Sequence, residues 1–160
     1  MVQISYYSLS SGRTLRKIAP FALISSGLRW HVRAFDRRSG EYRDFVLARI
    51  TTARLQSEDI PLEESSAKDD SWNKLIKLEI VPHPKNIKEK KAIELDYGMK
   101  KGVLNLEIRQ SITGYILRNW NVDCTEDHRL NGAHYQLWLK NSNAIKELDK
   151  IILAPGVEQP

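Results

Sequence analysis

The sequence predicts a small antiparallel β unit, a barrel or a sandwich, followed by an α+β domain. Three observations lead there. Residues 2–51 fall into short β-rich runs, several alternating polar and apolar side chains, separated by Gly-containing turns; this is the pattern of half-buried strands. Residues 74–141 mix strand-like and helix-like rhythms in turn, the pattern of an α+β domain. Between them, residues 56–72 (QSEDIPLEESSAKDDSW) turn acidic and polar and read as a linker. The chain of 160 residues thus divides into 1–55, a linker at 56–72, and 73–160.

Taken in order, VQISYYS at residues 2–8 is β-rich and runs into the turn SLSSGR. LRKIAPFALIS is a second strand that its proline breaks or confines to an edge, because proline cannot donate to a ladder. RWHVRAF alternates, with Trp30, Val32 and Ala34 on one face and Arg29, His31, Arg33 and Phe35 on the other. Trp30 is expected in the core. DRRSGE is a hairpin loop, and YRDFVLARIT is the strand that returns from it, with Arg43, Phe45, Leu47 and Arg49 sharing a face. In the back half KLIKLEIVPH is a strand that stops at two prolines, and PKNIKEKKAIELDYG is a helix with Gly98 just past its end. GVLNLEIRQ is a strand, SITGYILRNWN a helix opened by Ser111 or Thr113, and AHYQLWLKN a strand. This strand–helix alternation is of the ferredoxin-like sort.

Charge is distributed unevenly. Residues 1–56 hold ten basic and three acidic side chains, a net of +7, and nine of the ten are Arg. The remaining residues hold 15 basic and 17 acidic groups, a net of −2. Arg presents a planar, permanently charged fork suited to phosphate and carboxylate, so the bias points to an anionic partner. No apolar run approaches the roughly 20 residues that span a bilayer, and the start of the chain has no secretory pattern. With a single cysteine, Cys124, an intramolecular disulfide is impossible; a reducing, cytoplasmic setting follows. Cys124 lies in a polar stretch and is expected to be an exposed thiol. His31, His83, His128 and His134 are scattered without metal-ligand spacing. There is no phosphate-binding Gly loop, no nucleophile elbow and no cofactor motif. Asp69 and Asp70 look like solvated linker charges. An enzyme is not indicated.

The Arg-bearing hairpin is the candidate site. Its two strands should pair, which makes His31, Arg33, Arg43 and Arg49 candidates for one surface, with a bulge able to reassign either end. Like charges on facing strands repel, and an anion that bridges them relieves this. The alternative is a solvated polar face with Asp36, Glu41 and Asp44 as local partners. Tyr6, Tyr7, Trp30, Phe35, Tyr42 and Phe45 interleave with the arginines, a mixture that suits base stacking beside a basic groove.

Four spaced blocks then agree in order with a known family. Tyr6-x-Ser8-x-Ser10-Ser11, Arg16-x-Ile18-x-Pro20, Arg29-Trp30-His31-Val32-Arg33-Ala34 and Arg43-Asp44-Phe45-Val46-Leu47-x-Arg49-Ile50 resemble a WYL domain. The eponymous Trp-Tyr-Leu is Trp30-His31-Val32 here, as in BrxR/CapW-type regulators of bacterial phage-defence islands, which the chain resembles most. The back half resembles, more loosely, the C-terminal extension that follows WYL domains, through IELDYGM, Tyr115-Ile116-Leu117-Arg118 and the strand with Leu137 and Leu139. The resemblance implies an Sm-like five-stranded barrel with a basic pocket for a nucleotide or nucleic-acid fragment. Tyr6, Ser8, Ser10 and Ser11 would supply hydroxyls, Arg16, Arg33, Arg43 and Arg49 charge, and His31 a ring, while Asp44 would orient an arginine. It also implies homodimerisation through the extension. DNA would be read by a winged helix-turn-helix that family members carry in front and this chain lacks.

Overall fold

The computed structural model describes residues 1–146, 148, 151 and 153–157, so the last three residues of the expected second domain lie outside it. Contacts divide the chain into two units, Met1–Asn73 and Lys74–Pro160.

The first unit is a five-stranded antiparallel sheet. Its strands are β1 (Val2–Ser8), β2 (Gly12–Ser25), β3 (Trp30–Asp36), β4 (Glu41–Val46) and β5 (Ile50–Leu55), in the order β4-β3-β2-β1-β5. A single 3-10 turn, Leu47–Arg49, joins β4 to β5. The expectation of a closed barrel is corrected here: the sheet order places β4 and β5 at opposite edges, and no register pairs them. The sheet is nonetheless strongly curved. Tyr6 on β1 reaches the end of β4, where its hydroxyl accepts a hydrogen bond from the Val46 N–H at 3.4 Å and its ring meets Phe45 edge-on at 5.1 Å. Pro20 lies in a central strand, not at an edge. It is accommodated by a bulge between Pro20 and Ala22, the position where a missing N–H costs a ladder least.

The core of this unit is Ile4, Tyr6, Ile18, Val32, Ala34 and Phe45. Trp30 is outside it. The indole sits at the start of β3 opposite Ser25, beside the Ser26–Arg29 turn, and is 57% exposed. Alternation put Trp30 on the correct face, but that face runs past the end of the core.

The other face of β3 is also covered. Residues 56–72, expected as a linker, and Asn73 belong to the first unit by contact. They fold into two 3-10 turns, Leu62–Glu64 and Ser66–Lys68, and a short helix α1 (Asp70–Asn73). Trp72 packs on Phe21 with centroids 5.6 Å apart. Tyr42 donates its hydroxyl between the carbonyls of Glu63 and Ser65, at 2.8 and 2.7 Å.

The second unit has a four-stranded mixed sheet in the order β7-β6-β9-β8, from β6 (Leu75–Pro82), β7 (Leu104–Arg109), β8 (Val122–Asp123) and β9 (Leu137–Leu139). β6 alternates strictly: Ile76, Leu78 and Ile80 are buried, while Lys77 is exposed and Glu79 half-buried on the opposite face. The apolar face packs with Ile93 of α2 (Lys90–Asp96), Leu117 of α3 (Gln110–Asn119) and Ile145 of α4 (Asn143–Lys146) in one cluster. The unit is α+β as expected, but β6 and β7, which flank α2, pair directly and antiparallel, while β8 and β9 pair parallel. That order departs from the ferredoxin-like arrangement. The first helix is shorter than expected because residues 84–86 form a turn and the helix starts only at Lys90. The N–H groups of Lys85 and Asn86 bond to the His83 ring instead of a helical ladder. Gly98 follows the helix at φ 59°, as its position after the helical pattern implied. Neither Ser111 nor Thr113 caps α3; its N-cap is Arg109, whose carbonyl accepts from the Thr113 hydroxyl at 3.0 Å. Among the described residues no helix is long and apolar enough to cross a membrane.

Candidate functional site

The register of β3 and β4 decides which candidates share a surface. Arg33 faces Asp44, while Ala34 faces Arg43. His31, Arg33 and Asp44 therefore lie on one face of the sheet and Arg43 on the other, and Arg49 falls in the 3-10 turn. The expected single surface of His31, Arg33, Arg43 and Arg49 does not form. The two strands pair as expected and alternation was read correctly as far as Val46, but the register of the pair, and the 3-10 turn that takes Leu47 and Arg49 out of the strand, were not readable.

Arg33 is buried, at 6% exposure, and saturated. Its Nη1 donates to Asp44 at 2.9 Å, and its Nε and Nη2 donate to the two oxygens of Asp69 at 2.6 and 2.9 Å. Burial opposes the charge, but the hydrogen bonds and fields of the two carboxylates outweigh it and hold the guanidinium above its ordinary value. Asp69, expected as a solvated linker charge, is 1% exposed; it also accepts from the Trp72 N–H at 3.1 Å. It is the functional-looking residue that sequence reasoning missed. The available signal was a pair of aspartates just before a tryptophan, helix-capping chemistry close to an aromatic anchor. His31 is buried beside these groups, and burial first of all pushes its imidazole below the usual value, against the field of Asp44.

On the interior side, Arg16 crosses the core. Its Nη1 lies 2.5 Å from Asp36 Oδ2, its Nε donates to Thr14, and its guanidinium stands 5.9 Å and 5.7 Å from the Tyr6 and Phe45 ring centres. The buried guanidinium is thus met by a carboxylate, a hydroxyl and two ring faces. Arg43 shares this side of the sheet but is half-exposed, with Glu41 3.3 Å from its Nε. The hydroxyls of Ser8 and Ser10 are 3.2 Å apart in the open β1–β2 turn, which also holds the exposed Ser11.

Nine arginines lie in residues 1–56. Arg16, Arg33, Arg37 and Arg43 are tied to carboxylates. Among the described residues no carboxylate lies within ion-pair distance of Arg13, Arg29, Arg38, Arg49 or Arg54. These five are the uncompensated charge behind the +7.

The second unit holds a buried polar knot. His83 and Asp123 are both fully buried. The His83 Nδ1 accepts from two backbone N–H groups, so its proton sits on Nε2 and points at Asp123 Oδ2, 3.1 Å away. Asp123 further accepts from the Thr125 N–H and hydroxyl and from the Leu130 N–H. Cys124 next to it is buried, not exposed as expected, and burial together with the Asp123 charge pushes its thiol well up, so it stays protonated. Among the described residues no three His, Cys, Asp or Glu side chains cluster to hold a metal ion.

An Arg-rich β sheet followed by an α+β unit is the order that the resemblance to a WYL domain with its C-terminal extension implies, and family models match both parts. Residues 1–55 match the WYL domain, and residues 75–145 match the C-terminal dimerization domain of BrxR transcriptional regulators. The chain belongs to this family, a WYL domain followed by a BrxR-type C-terminal domain. It is 38% identical over 151 residues to the DNA-binding transcriptional repressor CapW of Escherichia coli, covering 93% of this chain and 49% of the relative. With CapW of Pseudomonas aeruginosa it shares 32% identity over 150 residues, 92% of this chain and 48% of the relative. The chain thus spans about half the length of the curated relatives it matches.

Proposed function

We propose that this chain is the ligand-sensing and dimerisation portion of a bacterial transcriptional repressor, and that it is not an enzyme. Ligand binding is assigned to the arginine-bearing side of the first sheet. The observations that support this are Arg49, for which no carboxylate lies within ion-pair distance among the described residues, and Arg43, whose partner Glu41 is itself exposed. Arg43, Arg49 and the Ser8–Ser10–Ser11 turn are the groups open to a ligand, with Tyr6 and Arg16 beneath them as a rigid floor. Arg33, His31 and Asp44 hold the opposite face together and have a supporting role. A nucleotide or short nucleic-acid fragment fits a set of planar cations beside hydroxyl donors. The relatives are DNA-binding repressors by description; DNA binding here would rest on a winged helix-turn-helix of the kind the family resemblance implies, in the cytoplasm of a bacterium.

Pairing of two copies is assigned to the second unit. The matched domain is a dimerization domain by description, and β7 presents an open sheet edge of six residues, the kind of feature that a second chain covers. Ligand binding would then act through different affinity for two arrangements of the dimer.

The test is titration with a mononucleotide, a dinucleotide and single strands of increasing length, at two salt concentrations. A sensor pocket saturates with the shortest ligands. If affinity instead grows with each nucleotide added and falls steeply with salt, the sheet is a plain strand-binding surface and the sensor reading is lost.

A further inference from the structure

We propose that residues 58–69 form an acidic latch over a second basic face of the first unit, and that a phosphodiester polyanion binds that face by displacing the latch. The face is the one opposite Arg43, so the proposal goes beyond the ligand site assigned above.

The charges are complementary. Residues 57–72 carry six acidic side chains and one basic, a net of −5 against the +7 of residues 1–56. The contacts follow suit. Glu58 pairs with Lys17 and, at 2.6 Å, with Arg37; Glu64 takes the Arg37 Nε–H at 2.8 Å; Asp69 takes the fork of Arg33. All three cations belong to the sheet or its β3–β4 turn, and the three carboxylates all belong to the latch. Arg33 keeps one further partner, Asp44, when the latch is away.

Apolar anchorage is slight by comparison. Ile60 and Leu62 of the latch point to solvent, and the ring contact that fastens the segment is Trp72 on Phe21 at its far end. The Glu58 and Glu64 attachments are partly exposed ion pairs, which salt and competing anions weaken, while the Asp69–Arg33 attachment at the far end is buried.

What lies beneath is equally specific. Phe21, Phe35 and Tyr42 form an edge-to-face cluster, with centroids 6.2 Å apart for Phe21–Tyr42 and 5.2 Å for Phe35–Tyr42. Lys17, Arg33 and Arg37 surround it. Three cations around three rings make a surface that tracks a phosphodiester backbone and stacks bases. The latch supplies carboxylates where phosphates would sit and backbone carbonyls for the Tyr42 hydroxyl.

The experiment uses the full chain and the variant E58Q/E64Q/D69N. Hydrogen exchange over residues 57–68 reports opening, and anisotropy of a labelled single strand of about twelve nucleotides reports binding. The variant should exchange faster in that segment and bind about tenfold tighter, with a salt slope steeper by about 2, as freeing three cations on a single strand requires. Adding Lys17→Ser and Arg37→Ser should abolish the gain; adding Arg43→Ser and Arg49→Ser should lower basal binding, if the sensor site holds, and leave the gain intact. An opened latch with unchanged affinity would overturn the proposal, as would a gain that survives loss of Lys17 and Arg37. If the triple variant does not fold, E58Q/E64Q, which leaves the buried Asp69 in place, is read against the same outcomes.

Discussion

Replacing Arg33 by alanine leaves Asp44 and Asp69 facing each other with little water to stabilise either. Removing one member of a buried charge cluster costs on the order of 3–5 kcal/mol, so R33A should lower the melting temperature sharply. Trp30→Ala should do the opposite of what its sequence context implies. The indole is more than half exposed, and surface substitutions stay within about 0.5 kcal/mol; a large loss of stability in W30A by chemical denaturation would contradict the placement. His31 gives a pH dependence with a definite sign. Its folded value is pushed down by burial, so the folded state binds the proton less readily than the unfolded chain. Its contribution is full above the ordinary imidazole value of 6.5 and is lost as pH falls from there through the lowered native value. Denaturation at pH 7.5 and 5.5 should show a larger loss on acidification for the native chain than for His31→Gln, the two being compared at about these pH values.

At the scale of elements, the Asp123 loop is the part of the second unit most dependent on one side chain. Four donors converge on that carboxylate, and D123A leaves them buried without acceptors, at a cost on the order of 3–5 kcal/mol. Nuclear magnetic resonance should show the shifts of His83, Thr125 and Leu130 moving together. A neighbouring prediction concerns Gly156. It adopts φ +79°, and a Cβ there would lie 2.4 Å from Thr125 Cγ2. Gly156→Ala should cost about 1–3 kcal/mol from strain and overlap, visible as a lower midpoint in urea.

For the whole molecule, the expected mass in light scattering at micromolar concentration is twice the 18.5 kDa of one chain. Two tryptophans of the second unit find partners within the fold. Trp138 donates to the Thr125 carbonyl at 2.8 Å and Trp120 packs on Tyr97, so an open β7 edge is a better reason for pairing than stray aromatics. A monomer at every concentration would leave ligand binding without two states to bias.

The sequence by itself determined most of the strands, because period-two alternation is a local property that survives whatever the strands pair with; the break between β4 and β5 and the short β8 were not legible in it. It determined the division into a β unit and an α+β unit, the family, and the concentration of positive charge in the first unit. What it did not determine is everything that depends on register and on distant partners. Arg33 and Arg43 look equivalent in sequence, yet β3–β4 pairing sends them to opposite faces. Asp69 looks like a linker charge because its partner is 36 residues away. Trp30 alternates with core residues but stands beyond the core's edge, and Cys124 is polar in its neighbours but buried by its fold. Tertiary structure alone converts the acidic stretch from a spacer into a cover, since a run of carboxylates has no reason to order until a basic face lies within reach.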